Sequence, residues 1–170
     1  MWNRFLGTTE VWDNNDLARM VDTSDEWIRE RTGVVQRHIA EENEDTVTMA
    51  SRAAQRALED ADIKAEEIDL IIVATISPTE IMPVWHQSAG KTWRRKGYLF
   101  RSERSCTGSL LALNTAQAYL SQGIYQTALV IGAEKLSALT DWTDRGTCIL
   151  FGDGAGAVVL KAEESGRYAR

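Results

Sequence analysis

The sequence predicts an α/β fold: a mostly parallel sheet covered by helices. Three observations predict it. Leu70 to Thr75 (LIIVAT) and Thr127 to Gly132 (TALVIG) are continuous apolar runs, the pattern of strands buried on both faces. Helical patterns alternate with these runs, the order that gives layered α/β structure. Asp144 to Leu160, DRGTCILFGDGAGAVVL, reads as a buried β-hairpin, with Gly152, Gly154 and Gly156 supplying positive φ and close approach at its turn.

The elements follow in order. Asn14 or Asn15 caps a short helix running toward Val21. Thr23 and Glu26 have capping-box spacing for a second helix, ending at Glu30 or Arg31 and stopped by Gly33. A third begins at Asp45 or Thr46, with Val47, Ala50, Ala53, Ala54, Ala57, Leu58 and Ala61 as its buried stripe. Asp69 and Ser77-Pro78 bound the first buried strand. Ser109 to Leu120 is apolar almost all round, which predicts a central, enclosed helix ending at Gly123. The chain reads as one domain over residues 1–170, with no repeat, low-complexity tract or linker.

Bulk properties exclude several classes of function. The chain has 19 basic and 25 acidic residues, a net charge of −6, which argues against nucleic-acid binding. No apolar run approaches the length of a membrane span, and no signal peptide is visible at the N-terminus. Two cysteines form no disulfide framework, which fits a reducing, cytoplasmic setting. Two histidines without metal-ligand spacing predict no metal site.

A few residues carry chemistry. Cys106 falls where a strand would hand over to the apolar helix. Helix N-terminal N–H groups and dipole favour a thiolate there, so Cys106 reads equally as a nucleophile or a small core residue. Trp27 and Arg31 are four apart and share a helix face, either as a stacking pair or as an ordinary surface pair. Arg145 has Asp141 and Asp144 nearby as salt-bridge partners. Cys148 reads as core packing inside the strand before Phe151, and His38 packs or caps near Arg37.

Three segments, VDTSDEWIRERTGVVQRH from Val21, Cys106-Thr107-Gly108 and DRGTCILFGDGAGA from Asp144, together resemble the N-terminal half of β-ketoacyl-acyl-carrier-protein synthase III, a thiolase-fold condensing enzyme. The resemblance covers most of residues 16 to 83 and 106 to 163. It implies one half of a thiolase-like fold, with a central buried helix after the cysteine. It also implies Cys106 as the acyl-carrying nucleophile, and Thr23, Trp27, Arg31 and Arg145 as coenzyme A contacts. Phe151 would then lie near the acyl pocket, where residue type alone would make it plain core. The implied reaction joins a short acyl-CoA to malonyl-acyl-carrier-protein, initiating fatty acid biosynthesis. Coenzyme A enters as a thioester substrate, no separate cofactor is implied, and the partners are acyl carrier protein and a second copy in a homodimer. The family's decarboxylation histidine and asparagine belong to a C-terminal half that this sequence does not match, so the fragment is expected to be inactive alone. The alternatives are a non-catalytic acyl-CoA or acyl-carrier-protein binding remnant, and another thiolase-fold synthase such as hydroxymethylglutaryl-CoA synthase.

Two stretches depart from the family. Between Gly7 and Asp16 the chain is short, which puts a first strand in doubt. Residues 84–105 carry Arg101, Glu103 and Arg104 where the family has a buried strand, and unpaired charges there are costly. Codons for Gly90 to Ser105, read one base over, can encode AKLGAVKGTYFDLSAA, a string that does resemble the family. A pair of compensating frameshifts would account for the segment.

Overall fold

The computed structural model describes residues 3–5, 10–78, 98–102 and 107–163. Its strands are β1 (Asn3–Phe5), β2 (Glu10–Asp13), β3 (Gln36–Ile39), β4 (Leu70–Ala74), β5 (Tyr98–Ser102), β6 (Thr127–Lys135) and β7 (Asp153–Lys161). Its helices are α1 (Asn14–Ala18), α2 (Asp25–Thr32), α3 (Thr46–Ala61), α4 (Gly108–Ser121) and the single turn α5 (Arg145–Cys148).

Five strands form one sheet in the order β1-β7-β6-β4-β5. β5, β4 and β6 are parallel; β7 pairs antiparallel with both β6 and β1. Four strands therefore run one way and β7 alone is reversed. β2 and β3 form a separate antiparallel pair.

Period-two alternation distributes the apolar side chains to both faces of the large sheet. Val73, Leu129, Ile131, Ala133, Ala155 and Ala157 meet α3 on one face. Leu70, Ile72, Ala128, Val130 and Val158 meet α4 on the other. That is why the β4 and β6 runs are continuously apolar. α3 presents mostly alanines to the sheet, which lets helix and strands approach closely. Met49 is wholly buried in that layer, while Val47 is half-buried and Ala61 exposed, so the expected stripe is shifted at both ends.

Asp45 caps α3 as expected, whereas the caps of α1 and α2 differ from the sequence reading. Asp13, rather than Asn14 or Asn15, caps α1 through a capping box with Asp16. Ser24, rather than Thr23, caps α2, its Oγ accepting from the Trp27 N–H at 3.1 Å. Gly33 ends α2 in the left-handed conformation (φ 71°), a backbone state that favours glycine.

Four further expectations are corrected. No hairpin spans 144–160: α5 occupies Arg145–Cys148 and one strand, β7, follows from Asp153. The glycines with positive φ among the described residues are Gly33 and Gly123, not Gly152, Gly154 or Gly156. Cys148 lies in a helical turn rather than a strand, although it is fully buried as expected. α4 is not enclosed: Gly108, Ala112 and Ala116 face the sheet, but Leu110 is 63% exposed and Leu111 and Tyr119 also face outward. A helix apolar all round does not reveal which of its faces a second layer covers. The first strand, β1, is present despite the short N-terminal stretch. The charged segment contributes β5 at the sheet edge, with β4 as its paired neighbour.

Candidate functional site

The site grows out of a third apolar cluster, apart from the two sheet faces. Leu17 of α1, Ile28 of α2, and Cys148 and Ile149 at the end of α5 are buried together, with Trp12, Val21, Trp27, Val34 and Trp142 packed around them. The cluster brings the N-terminal helices against a turn more than 110 residues later in the chain.

Trp27 is the centre of the polar face of this cluster. The Arg31 guanidinium lies over its ring, 4.4 Å from the centroid, as the four-residue spacing on α2 requires. The Arg145 guanidinium, from α5, also lies over the ring at 4.8 Å. Arg145 Nη1 donates to the Asp22 carbonyl oxygen at 3.1 Å, which tethers α5 to the loop before α2. This stands in place of the alternative ion pair with Asp141 or Asp144. Those two carboxylates turn inward on their own loop instead. Hydrogen bonds from the Thr143 hydroxyl and N–H hold Asp141 below its ordinary pKa, and the Thr147 hydroxyl and Gly146 N–H do the same for Asp144.

Thr23 completes the group. Because Ser24 takes the capping role, the Thr23 hydroxyl is free of the helix terminus. Its Oγ1 is buried and has no hydrogen-bond partner among the described residues. An unsatisfied buried hydroxyl is costly unless a ligand supplies its partner. An indole ring, two guanidinium groups and an unpartnered hydroxyl suit a flat heteroaromatic group carrying phosphate: stacking for the ring, charge for the anion.

The remaining predicted residues stand as follows. Cys106 lies outside the described residues; α4 begins two positions later in sequence, with Thr107 as its N-cap residue. Phe151 is 38% exposed in the loop between α5 and β7, beside the exposed Leu150, and so is not plain core. His38 sits in β3 opposite Val11, with its Nδ1 buried and without a partner among the described residues. Among the described residues no group of three or more His, Cys, Asp or Glu side chains could hold a metal ion.

The sequence reading missed several polar side chains that tie distant elements together. Arg37, only 5% exposed, reaches across from β3. Burial in the apolar cluster lowers its pKa from the ordinary arginine value. Asp153, also buried, accepts from the Ala40 N–H at 2.7 Å and the Ser137 N–H at 2.8 Å, clamping the start of β7. The Glu134 carboxylate accepts from the Thr75 and Ser77 hydroxyls and the Ile76 and Ser77 N–H groups, joining the ends of β4 and β6. A buried polar residue has no local periodic signature, so only its partners reveal it.

Comparison with known proteins shows what the chain as a whole is similar to. Residues 100–169 match the family model described as 3-oxoacyl-[acyl-carrier-protein (ACP)] synthase III. The β-ketoacyl-[acyl-carrier-protein] synthase III of Clostridium acetobutylicum is 50% identical over 159 residues, 92% of this chain and 49% of that protein. The chain is related to β-ketoacyl-[acyl-carrier-protein] synthase III. The Neisseria gonorrhoeae synthase III is 52% identical over 155 residues, 89% of this chain and 48% of that protein. A solved synthase III from Aquifex aeolicus superposes with a TM-score of 0.89 at 44% identity, covering 96% of this chain and 53% of that one. The priming β-ketosynthase of the R1128 polyketide pathway gives 0.89 at 30% identity, over 96% of this chain and 49% of that one. The fold is thus thiolase-like, and the chain spans about half the length of the synthases it matches.

Proposed function

We propose that this chain carries the coenzyme-binding and acyl-accepting portion of a β-ketoacyl-acyl-carrier-protein synthase III. The observation that carries the proposal is the Trp27 ring with Arg31 and Arg145 over it and the unpartnered Thr23 hydroxyl nearby in sequence. In this reading Trp27 stacks on the adenine of an acyl-CoA, Arg31 and Arg145 meet its ring and phosphates, and Thr23 hydrogen-bonds the base. Phe151 lines the acyl end.

Cys106 then attacks the thioester carbonyl of acetyl-CoA. A carbon–sulfur bond forms to Cys106, the bond to the coenzyme sulfur breaks, and the cysteine proton leaves with free coenzyme A. A helix starting two residues downstream supplies the dipole that favours the attacking thiolate. Condensation with malonyl-acyl-carrier-protein, the first step of fatty acid synthesis, needs enolate-stabilising donors from the half of the relatives that this chain does not match. In this reading the setting is the cytoplasm, the partners are acyl-CoA and acyl carrier protein, and the intact protein pairs as a homodimer.

Incubation with acetyl-CoA followed by mass spectrometry tests the proposal: acetyl should appear on Cys106 and be absent from Cys106→Ala. Removing Trp27 deletes a stacking surface worth about 1–3 kcal/mol, so Trp27→Ala should weaken coenzyme A binding roughly 5- to 150-fold. Binding that depends on Trp27 and Arg31 without acetylation would identify a non-catalytic acyl-CoA binder. Equal binding by wild type and Trp27→Ala would refute the coenzyme site.

A further inference from the structure

Trp27 and Arg31 lie on α2, Arg145 lies on α5, and more than 110 residues separate the two elements in sequence. Something must fix the distance between them, and Arg37 is placed to do so. Its Nη2 donates to Asn14 Oδ1 at 2.8 Å and to the Ile149 carbonyl oxygen at 3.2 Å. Ile149 is the C-cap residue of α5. Asn14, itself fully buried, donates through Nδ2 to Asp25 Oδ1, at the first turn of α2, and to the Val34 carbonyl, just past its end, both at 2.8 Å. Arg37 Nη1 points toward the Trp12 and Asp13 carbonyls at 3.4 and 3.3 Å, anchoring the fork to β2.

One buried guanidinium thus closes a polar chain from the start of α2, through Asn14, to the end of α5. The planar fork serves Asn14 and Ile149 from Nη2 and the β2 carbonyls from Nη1, a two-nitrogen geometry that a single ammonium nitrogen does not reproduce. The bare pairing of Arg145 with Asp22 does not set the α5 orientation by itself, because it holds one exposed end only.

We propose that Arg37 is a positioning residue for the coenzyme site: it holds the Arg145 turn at the separation from α2 that lets both guanidinium groups meet Trp27. This rests on the reading of Trp27, Arg31 and Arg145 as a coenzyme A site. Arg37 itself touches no ligand in this role; it acts through Asn14 and Ile149.

The test is a double-mutant cycle on the full chain, read as the dissociation constant for coenzyme A by calorimetry. Arg37→Gln should weaken binding about tenfold or more, the scale of loss from a misplaced binding group. Arg37→Gln combined with Arg145→Ala should bind no more weakly than Arg145→Ala alone, because the first change acts through the second residue. Leu129→Ala, in the core between the sheet and α3, supplies a destabilised control and should bind as wild type. If Arg37→Gln does not fold, Arg37→Lys takes its place in the same cycle. Unchanged affinity in the Arg37 variant, full additivity with Arg145→Ala, or an equal loss in Leu129→Ala would each overturn the positioning role. Wild-type affinity in both Trp27→Ala and Arg145→Ala would instead overturn the coenzyme site itself.

Discussion

Gly152 offers a clean test of how the site is packed. It lies between α5 and β7, where the chain passes against β3. A Cβ built there would sit 2.8 Å from the His38 carbonyl oxygen, 3.0 Å from Arg37 Cβ and 3.4 Å from the His38 nitrogen. The closest obstacle is backbone of a paired strand, so it cannot swing aside as a side-chain tip could. Gly152 is not among the glycines with positive φ, so Ala is conformationally acceptable and the effect isolates the added methyl. Overpacking of this kind costs about 1–3 kcal/mol. For a chain of 170 residues, about 2–4 °C per kcal/mol converts this to a fall in Tm of roughly 2–12 °C. Gly132→Ala is the matched control, because its Cβ would meet only Ser109 Cβ at 3.7 Å, an ordinary contact. Relief in Gly152→Ala must come from moving the loop off β3, which also stretches the 3.2 Å bond from Arg37 to the Ile149 carbonyl. Thermal denaturation of the two variants beside wild type is the assay. Equal melting temperatures for Gly152→Ala and wild type would refute the close approach of this loop to β3.

Other outcomes follow from the same structure. Leu129→Ala, a fully buried change in the central strand β6, should cost about 2–5 kcal/mol in denaturant titrations. Asp13 and Asp25 have lowered pKa values, Asp13 chiefly through the Asp16 N–H and Asp25 chiefly through Arg29, and Asp141 and Asp144 are lowered by their own loop. Their contribution to stability is full above the ordinary carboxylate pKa of about 3.9 and is lost as pH falls through the lowered folded values. Melting curves from neutral to pH 2.5 should therefore drop on the acid side, and less steeply in Asp25→Asn. Burial raises the pKa of the Cys148 thiol, so alkylation of the native chain at pH 8 should leave Cys148 unmodified until denaturant is added. Resequencing of the coding DNA across codons 84 to 106 should reveal single-base errors on both sides of the Gly90–Ser105 segment; an intact frame would remove the frameshift account.

How much of this was legible beforehand depends on the range of the forces involved. The helices α1 to α4 and the strands β4 and β6 were readable because caps, periodicity and apolar runs act within a few residues. Asp45 caps α3 as expected, but at α1 and α2 the caps differ: Asp13 and Ser24 take roles expected of Asn14 or Asn15 and of Thr23. The 144–160 segment misled because alternating glycine and apolar residues fit a hairpin as well as the turn and single strand that formed. The exposed outer face of α4 was unreadable for a similar reason, since composition does not say how many layers a helix will meet.

The sequence by itself determined α1 to α4 and the strands β4 and β6, the resemblance to β-ketoacyl-acyl-carrier-protein synthase III, and Thr23, Trp27, Arg31 and Arg145 as candidate site residues. Tertiary structure decided what they do to one another. Arg145 could have paired with Asp141 or Asp144, both close in sequence, yet it reaches Asp22, 123 positions away, and lies over Trp27. Arg37 could have been a surface arginine of β3, yet it is buried and bonds Ile149 across 112 positions. Both outcomes follow from the apolar cluster of Leu17, Ile28, Cys148 and Ile149. Burying those side chains brings distant polar groups into a water-poor space, where the Arg37 and Asn14 side chains bond to each other and to backbone carbonyls.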